Sequence, residues 1–234
     1  MLTTAFEYLR TSTDWERTVL IGGLLTVFSF LLIPAFVVMG YLLGVFRATM
    51  HGDTERPPVF DDWGALAVDG LKGYVIAFVY GLVPAVVLGG TFVFGFAGLA
   101  SGSDAGALTG GLVLLAGGLL TAGLWLAVAY VLPAALLNYA ETGRLGAGFA
   151  VGDITPMLTN RAYMRAFAYA LVAGVAFGVV AGLLNVVPVL GAIASAFVGF
   201  YVAVTVAYIY GRTYAEMHVV DVADGNAIDE NAAI

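Results

Sequence analysis

Long apolar segments with few interruptions dominate the hydrophobic pattern of this chain. Four of them are long enough to cross a bilayer, which takes roughly 20 helical residues for a hydrocarbon core of about 30 Å. None of the four contains a charged residue. The pattern therefore predicts four transmembrane helices, near 73–100, 106–138, 166–185 and 189–211.

A fifth apolar segment, 18–46, is too long for a simple span. As one straight helix it would measure about 43 Å at 1.5 Å per residue. Pro34 lies near its middle, where proline removes a helical hydrogen bond and disfavours helix at the preceding residue. The segment is therefore either one long bent span or a hairpin that turns back near Pro34.

The basic residues discriminate between these two alternatives. A single span would divide the nine arginines and lysines seven against two, whereas a hairpin places all nine on one side. Cytoplasmic loops carry the excess of basic residues in membrane proteins. We therefore favour the hairpin, in a multi-pass protein of the cell membrane with its N-terminus and long loops in the cytoplasm.

The segment 62–72 has the pattern of a helix lying at the membrane surface. A carboxylate just before it can cap the helix by accepting backbone N–H groups, and tryptophan favours the headgroup layer. Adjacent helical positions point about 100° apart, so a cation site made of these carboxylates is the weaker alternative. The residues expected at the interface, or in contact with other molecules, are Asp61, Asp62, Trp63, Asp69 and Lys72.

A second surface helix is expected over 154–165. Pro156 suits the first turn of a helix, where its missing N–H is no loss. Arg161 and Arg165 are four residues apart and would share a helical face that can meet lipid phosphates. The predicted fold class is thus an all-α polytopic transmembrane bundle, with four full spans, the Pro34-broken hairpin or bent span, and two interfacial helices.

Small residues recur at four-residue spacing within the apolar segments. Such spacing allows helix backbones to approach closely in a membrane, within one chain or between copies. We expect helix packing at Gly40, Gly44, Gly174, Gly178 and Gly182. Pro34 and Pro188 occupy similar places in two segments, 31–47 and 185–212, which form a weak internal repeat of the kind found in transporters.

Composition supports a membrane protein and excludes several kinds of chemistry. Hydrophobic residues make up 61% of the chain and charged residues 11%, against about 25% charged in soluble domains. The chain contains no cysteine, which excludes disulfides and thiolate chemistry, and its net charge of −7 argues against nucleic-acid binding. The acidic tail, 218–234, is expected to be disordered, beyond a single transmembrane domain over 1–217.

The two histidines are the remaining candidates for metal or proton chemistry. His51 could pair with Asp53, and His218 with Glu216 and Asp221. Neither set has the spacing of a recognised metal or catalytic motif, so both histidines are expected to be solvated. We expect no cofactor, no metal site and no enzymatic activity.

The order of motifs in 14–87 resembles the domain-of-unknown-function family 4013, an uncharacterised prokaryotic family of multi-span membrane proteins with many members in halophilic archaea. The motifs that carry the resemblance are Asp14–Trp15, Gly40–Tyr41, Arg47, Gly52, Phe60–Asp61–Asp62–Trp63 and Asp69–Gly70–Leu71–Lys72. The resemblance implies an inner-membrane protein and brings no assigned activity, ligand or functional residue. The acidic, lysine-poor composition agrees with a halophilic host.

Two functions remain as alternatives. The first is a non-enzymatic scaffold or accessory subunit whose partners are the lipid bilayer and either further copies of itself or another membrane protein. The second is a small transporter or channel formed by the glycine-rich helices. The second requires a polar cavity at mid-depth, for which the sequence offers only Ser29, Thr91, Thr121, Tyr130 and Thr205.

Overall fold

Helices account for nearly all of the chain. The computed structural model describes the backbone of residues 2–12 and 14–232 and the side chains of 4–12 and 14–217, and it contains no strand in these residues. The helices are α1 (Leu2–Glu7), α2 (Trp15–Val27), α3 (Ile33–Met50), α4 (Trp63–Leu99), α5 (Asp104–Thr142), α6 (Val151–Thr159), α7 (Arg161–Leu184) and α8 (Pro188–Ala232). Single 3₁₀ turns occupy Tyr8–Thr11, Ser29–Leu31 and Leu145–Phe149.

Among the residues that the structure describes, five helices are long and apolar enough to span a membrane: α3, α4, α5, α7 and the Pro188–Met217 part of α8. The predicted all-α membrane fold class is confirmed. Helices α4, α5 and α7 present much of their apolar surface outward, whereas half of α3 is buried; in a membrane protein such an outward apolar surface is the one that lipid covers.

The first apolar segment turns back on itself. Gly22 of α2 and Tyr41 of α3 would lie about 28 Å apart in one straight helix, yet both pack against the ring of Phe200 in α8. The reversal takes place between Phe28 and Leu32, where Leu32 has a positive φ of 62°. Pro34 follows the reversal in the first turn of α3, a position that needs no N–H.

The contacts divide the chain into two compact units. The first unit consists of Met1–Tyr74 and Ala134–Ile234, and the second of Val75–Pro133. The single transmembrane domain predicted over 1–217 stays a prediction. The disordered tail also stays a prediction. The backbone of α8 is helical to Ala232, and the side chains from 218 onward, including that of His218, lie outside the described residues.

The first unit has an aromatic core. Tyr41 stacks on Phe60 with ring centroids 4.3 Å apart, and both rings lie near Phe200. Tyr8 packs against Tyr208 with centroids 4.6 Å apart. These large rings bury more apolar area than aliphatic side chains, so they hold α3, α8 and the loop before α4 together.

The second unit is a helical hairpin made of the later part of α4 and the earlier part of α5. Gly98 and Gly110 approach so closely that a side chain on either would meet the backbone of the other helix. The turn between the helices, Ser101 to Ser103, is polar and exposed. The outward faces of both helices carry exposed leucine, valine and phenylalanine side chains.

Both predicted surface helices differ from the structure. The segment 62–72 is the beginning of α4 and not a separate element, since no residue between it and the apolar span breaks the helix. The segment predicted as the second surface helix, 154–165, is divided between two helices, and its first part belongs to α6, with Pro156 in the interior of that helix instead of its first turn. Arg161 and Arg165 belong to α7, because Asn160 ends α6 and caps α7 by accepting the Ala162 N–H at 2.8 Å.

Candidate functional site

Helices α3 and α4 meet backbone to backbone inside the first unit. A Cβ on Gly40 would overlap the carbonyl oxygen of Leu66, and a Cβ on Gly70 would overlap that of Phe36. Glycine is therefore required at both positions by space and not by backbone conformation. Gly44, one turn after Gly40, makes only ordinary contact with Pro58.

This close approach places Arg47 of α3 beside Asp69 of α4. The Arg47 guanidinium forms an ion pair with the Asp69 carboxylate, and both side chains are about one-third exposed or less. The Nε–H of Arg47 also donates to the carbonyl oxygen of Ala140 in α5, at 3.1 Å. A guanidinium is a rigid fork of donors, so one arginine joins three helices here.

Tyr139 completes the cluster from α5. Its hydroxyl donates to the second oxygen of Asp69 at 2.7 Å, and the Arg47 guanidinium lies 5.9 Å from the centre of its ring. Both carboxylate oxygens of Asp69 thus accept hydrogen bonds, and the two opposite charges compensate each other. Arg47, Asp69, Tyr139 and the Ala140 carbonyl are called the three-helix cluster below.

His51 extends this cluster toward solvent. Its Nδ1 lies 2.7 Å from the carbonyl oxygen of Arg47, and its Nε2 lies 3.8 Å from Glu141. The sequence suggested Asp53 as a partner of His51, but the acidic side chain that His51 approaches in the structure is Glu141. Among the residues that the structure describes, no group of three or more His, Asp or Glu side chains is arranged to hold a metal ion.

The two adjacent aspartates have separate, local roles. Asp62 caps α4, since its Oδ1 accepts the Ala65 N–H at 2.9 Å. Asp61 accepts the N–H of Asp62 at 2.9 Å. Asp69 lies two helical turns further along α4 in the three-helix cluster, so the three carboxylates do not converge on one site.

A cleft of about 460 Å³ opens beside the capped end of α4. Trp63, the first residue of α4, lines it and is half exposed, while the adjacent Phe60 is buried in the aromatic core. The remaining lining comes from the beginning of α2 and the loop before α4: Asp14, Arg17, Thr18, Ile21, Val59 and Asp61. Lys72, predicted for the same surface, is half-buried and does not line this cleft.

The glycines of α7 lie in a different setting from those of α3 and α4. A Cβ on Gly174, Gly178 or Gly182 would meet nothing within 4 Å. Within the described part of the chain no other helix packs against these three positions, and contact with another molecule stays a prediction. Arg161 and Arg165 are exposed at the beginning of the same helix.

Sequence reasoning missed Tyr139, Glu141 and the Ala140 carbonyl. Tyr139 and Glu141 follow the end of a predicted span, where polar side chains are common and give no indication of a partner. Arg47, Asp69 and Tyr139 are separated by 22 and 70 residues, and only the fold brings them together. Arg47 and Asp69 both belong to the motifs that carry the family resemblance, and this was the one indication in the sequence that they matter.

The comparisons with known proteins identify a family. Residues 27–186 match the family described as "Protein of unknown function (DUF4013)". This range includes the three-helix cluster and leaves Asp14–Trp15 outside it. No curated protein and no solved structure matches the chain. Because the family match covers more than half of the sequence, the chain belongs to the DUF4013 family.

Proposed function

We propose that this protein is a multi-pass protein of the cell membrane that acts as a non-enzymatic scaffold or accessory subunit. The observation that carries the proposal is the three-helix cluster. Its arginine and carboxylate are paired with each other, and the phenol donates to the same carboxylate, so their charges are compensated within the chain and the contacts join three helices.

The separation of the other acidic residues supports the same proposal. A membrane-surface enzyme would need Asp61, Asp62, Asp69 and His51 around one pocket. Instead, Asp62 caps α4, Asp69 is paired with Arg47, and His51 faces Glu141. Their chemistry is divided among three places, which is typical of structural roles.

The transporter alternative receives less support from the hydroxyl groups. Ser29, Thr91 and Thr205 each donate to a carbonyl four residues earlier in the chain, at 3.0, 2.8 and 3.0 Å. Such local bonds satisfy the hydroxyls without forming a polar cavity. Thr121 is the specific exception, since its hydroxyl is buried and has no hydrogen-bond partner in the described structure.

The proposed topology places the N-terminus and the loops 51–62 and 143–160 in the cytoplasm. It can be tested by single-cysteine labelling from each side of the membrane, because the chain has no native cysteine. Ser12→Cys and Thr54→Cys should react from the same side. Labelling of these two positions from opposite sides would contradict the proposed topology.

The proposed role can be tested by purification from native membranes together with flux measurements in proteoliposomes. A scaffold or accessory subunit should retain a membrane protein at a fixed stoichiometry in two different detergents and should conduct no solute. A monodisperse protein without a partner, together with solute flux that Thr121→Val abolishes, would contradict the proposal in favour of the transporter.

A further inference from the structure

One face of α7 combines two arginines with a continuous apolar surface. Arg161, Arg165 and Ala168 follow one another at the spacing that places residues on the same side of a helix. With Met164, they line a shallow groove of about 590 Å³. The groove is therefore cationic at the beginning of the helix and apolar along its next turn.

The apolar part continues down the same face. Val172, Val175 and Val179 keep the spacing of four and three residues, and their side chains are 62%, 61% and 60% exposed. The opposite face of α7 carries Tyr163, Ala166 and Ala173, which are buried. The arginines thus lie at the top of a stripe that faces away from the rest of the first unit.

Neither arginine is neutralised by a residue whose side chain the structure describes. No ion pair joins Arg161 or Arg165 to any residue that the structure describes, although the protein carries 16 acidic residues. Two arginines one turn apart, each with planar donors, are suited to the oxygens of a phosphate group. Charge complementarity therefore favours an anionic ligand.

We infer that this face of α7 binds an anionic phospholipid, with the phosphate held by Arg161 and Arg165 and a hydrocarbon chain lying along Ala168, Val172 and Val175. An amphiphile matches both halves of the stripe, whereas a free phosphate ester matches only the arginines. The inference rests on the proposed membrane location, in which the beginning of α7 lies in the headgroup layer.

A second copy of the chain is a poorer occupant of the same face. A two-fold interface brings identical residues together, so a parallel dimer through this stripe would place the four arginines close to one another. Like charges at an interface are unfavourable. An anionic lipid instead neutralises them.

The experiment measures lipid retention by the purified full-length protein in detergent. Native mass spectrometry compares dioleoyl phosphatidylglycerol, which is anionic, with dioleoyl phosphatidylcholine, in which the choline cancels the phosphate charge. Wild type should prefer phosphatidylglycerol by about tenfold, because the choline of phosphatidylcholine adds a like charge beside the two arginines. The double variant Arg161→Gln with Arg165→Gln should lose this preference.

The double variant Arg56→Gln with Arg144→Gln is the matched control, since it also removes two positive charges, from exposed loop positions outside the groove. It should keep the wild-type preference. An unchanged preference in the double variant, or an equal loss in the control, would show that lipid association is nonspecific and would overturn the inference.

Two further arms identify the occupant. Glycerol 3-phosphate at equal concentration should not displace phosphatidylglycerol; displacement would assign the groove to soluble phosphate esters. Val172→Cys should not form a disulfide-linked dimer in membranes; efficient dimer formation would assign the stripe to a second copy. Lipid retention is measured in detergent, whereas the topology is measured by cysteine labelling in membranes. Either result can fail while the other agrees with its proposal, so the two proposals are tested separately.

Discussion

Two sets of glycines in the first unit have opposite surroundings. At Gly40 and Gly70 the backbone of a neighbouring helix fills the space that a side chain would need. At Gly174, Gly178 and Gly182 that space is open. Small residues in a helix therefore permit close packing but do not specify it. The ion pair of Arg47 and Asp69 lies beside Gly70, where two helices do pack closely.

The largest expected effect comes from adding a side chain at a glycine where α3 and α4 pack closely. Gly70→Val should force α3 and α4 apart and destabilise the protein by about 3 kcal/mol or more, because the obstructing atom is a backbone carbonyl that cannot move aside. Thermal unfolding in detergent measures the change. Gly178→Val is the matched control and should remain within about 0.5 kcal/mol of wild type. Equal melting of the two variants would show that the contrast between the glycine sets has no energetic basis.

The next prediction compares the stability that two ion pairs contribute, one in the three-helix cluster and one on the exposed surface. Asp69→Asn should destabilise the protein by about 2 kcal/mol, because Arg47 loses a charged acceptor. Glu216→Gln, which breaks the exposed pair of Arg212 and Glu216 at 3.6 Å, should cost about 0.3 kcal/mol. If both changes cost the same in denaturant titration, the cluster contributes no more than a surface ion pair.

A smaller effect contrasts a bonded hydroxyl with an unbonded one. Tyr139→Phe should destabilise the protein by about 1 kcal/mol, because it removes the donor to Asp69. The hydroxyl of Tyr8 is buried without a hydrogen-bond partner in the described structure, so Tyr8→Phe should leave stability unchanged or raise it. The opposite signs are measurable in parallel melting curves. A comparable loss in both variants would mean that Tyr8 has a partner after all.

The last effect is a dependence on alkaline pH and is absent at neutral pH. Burial, reinforced by the negative charge of Asp53, raises the pKa of Tyr8 above its ordinary value of 10.0. The unfolded phenol therefore ionises first, so the contribution of Tyr8 is fully present below pH 10 and falls as the pH rises above it. The loss is at most about 1.4 kcal/mol per pH unit. Tyr8→Phe should melt with a shallower decline between about pH 9 and 11; identical profiles would contradict this.

The elements of the fold were largely readable from the sequence, because span length, charge distribution and proline position are local signals. The hairpin near Pro34 is an example, since it was favoured by the expectation that basic residues gather on one side of a membrane. The end of α6 was also signalled, as Asn160 is a good cap, although it was overlooked in favour of one helix over 154–165.

The cluster itself was not readable in the same way. Arg47 and Asp69 are visible as charges near span ends, but their pairing depends on two glycines whose contacts become known only when α3 and α4 are placed together. Tyr139 gave no signal of its own. The glycines of α7 show the opposite case. Their four-residue spacing predicted helix packing, but no described helix contacts them.

The apolar turn between α2 and α3 has a consequence for how the chain enters a membrane during synthesis. Phe30, Leu32 and Ile33 are all more than 60% exposed at this turn, and its amides are satisfied locally, as in the bond from Leu32 N–H to the Ser29 carbonyl at 3.1 Å. Such a hairpin can partition into hydrocarbon from one face without drawing a charge across it. In the proposed topology the turn after α4, which is followed by Asp104, lies on the far side of the membrane, so its insertion would carry that carboxylate through the bilayer. On that proposal the two hairpins of one chain place different demands on the insertion machinery, since the N-terminal turn, 28–32, holds no charged residue.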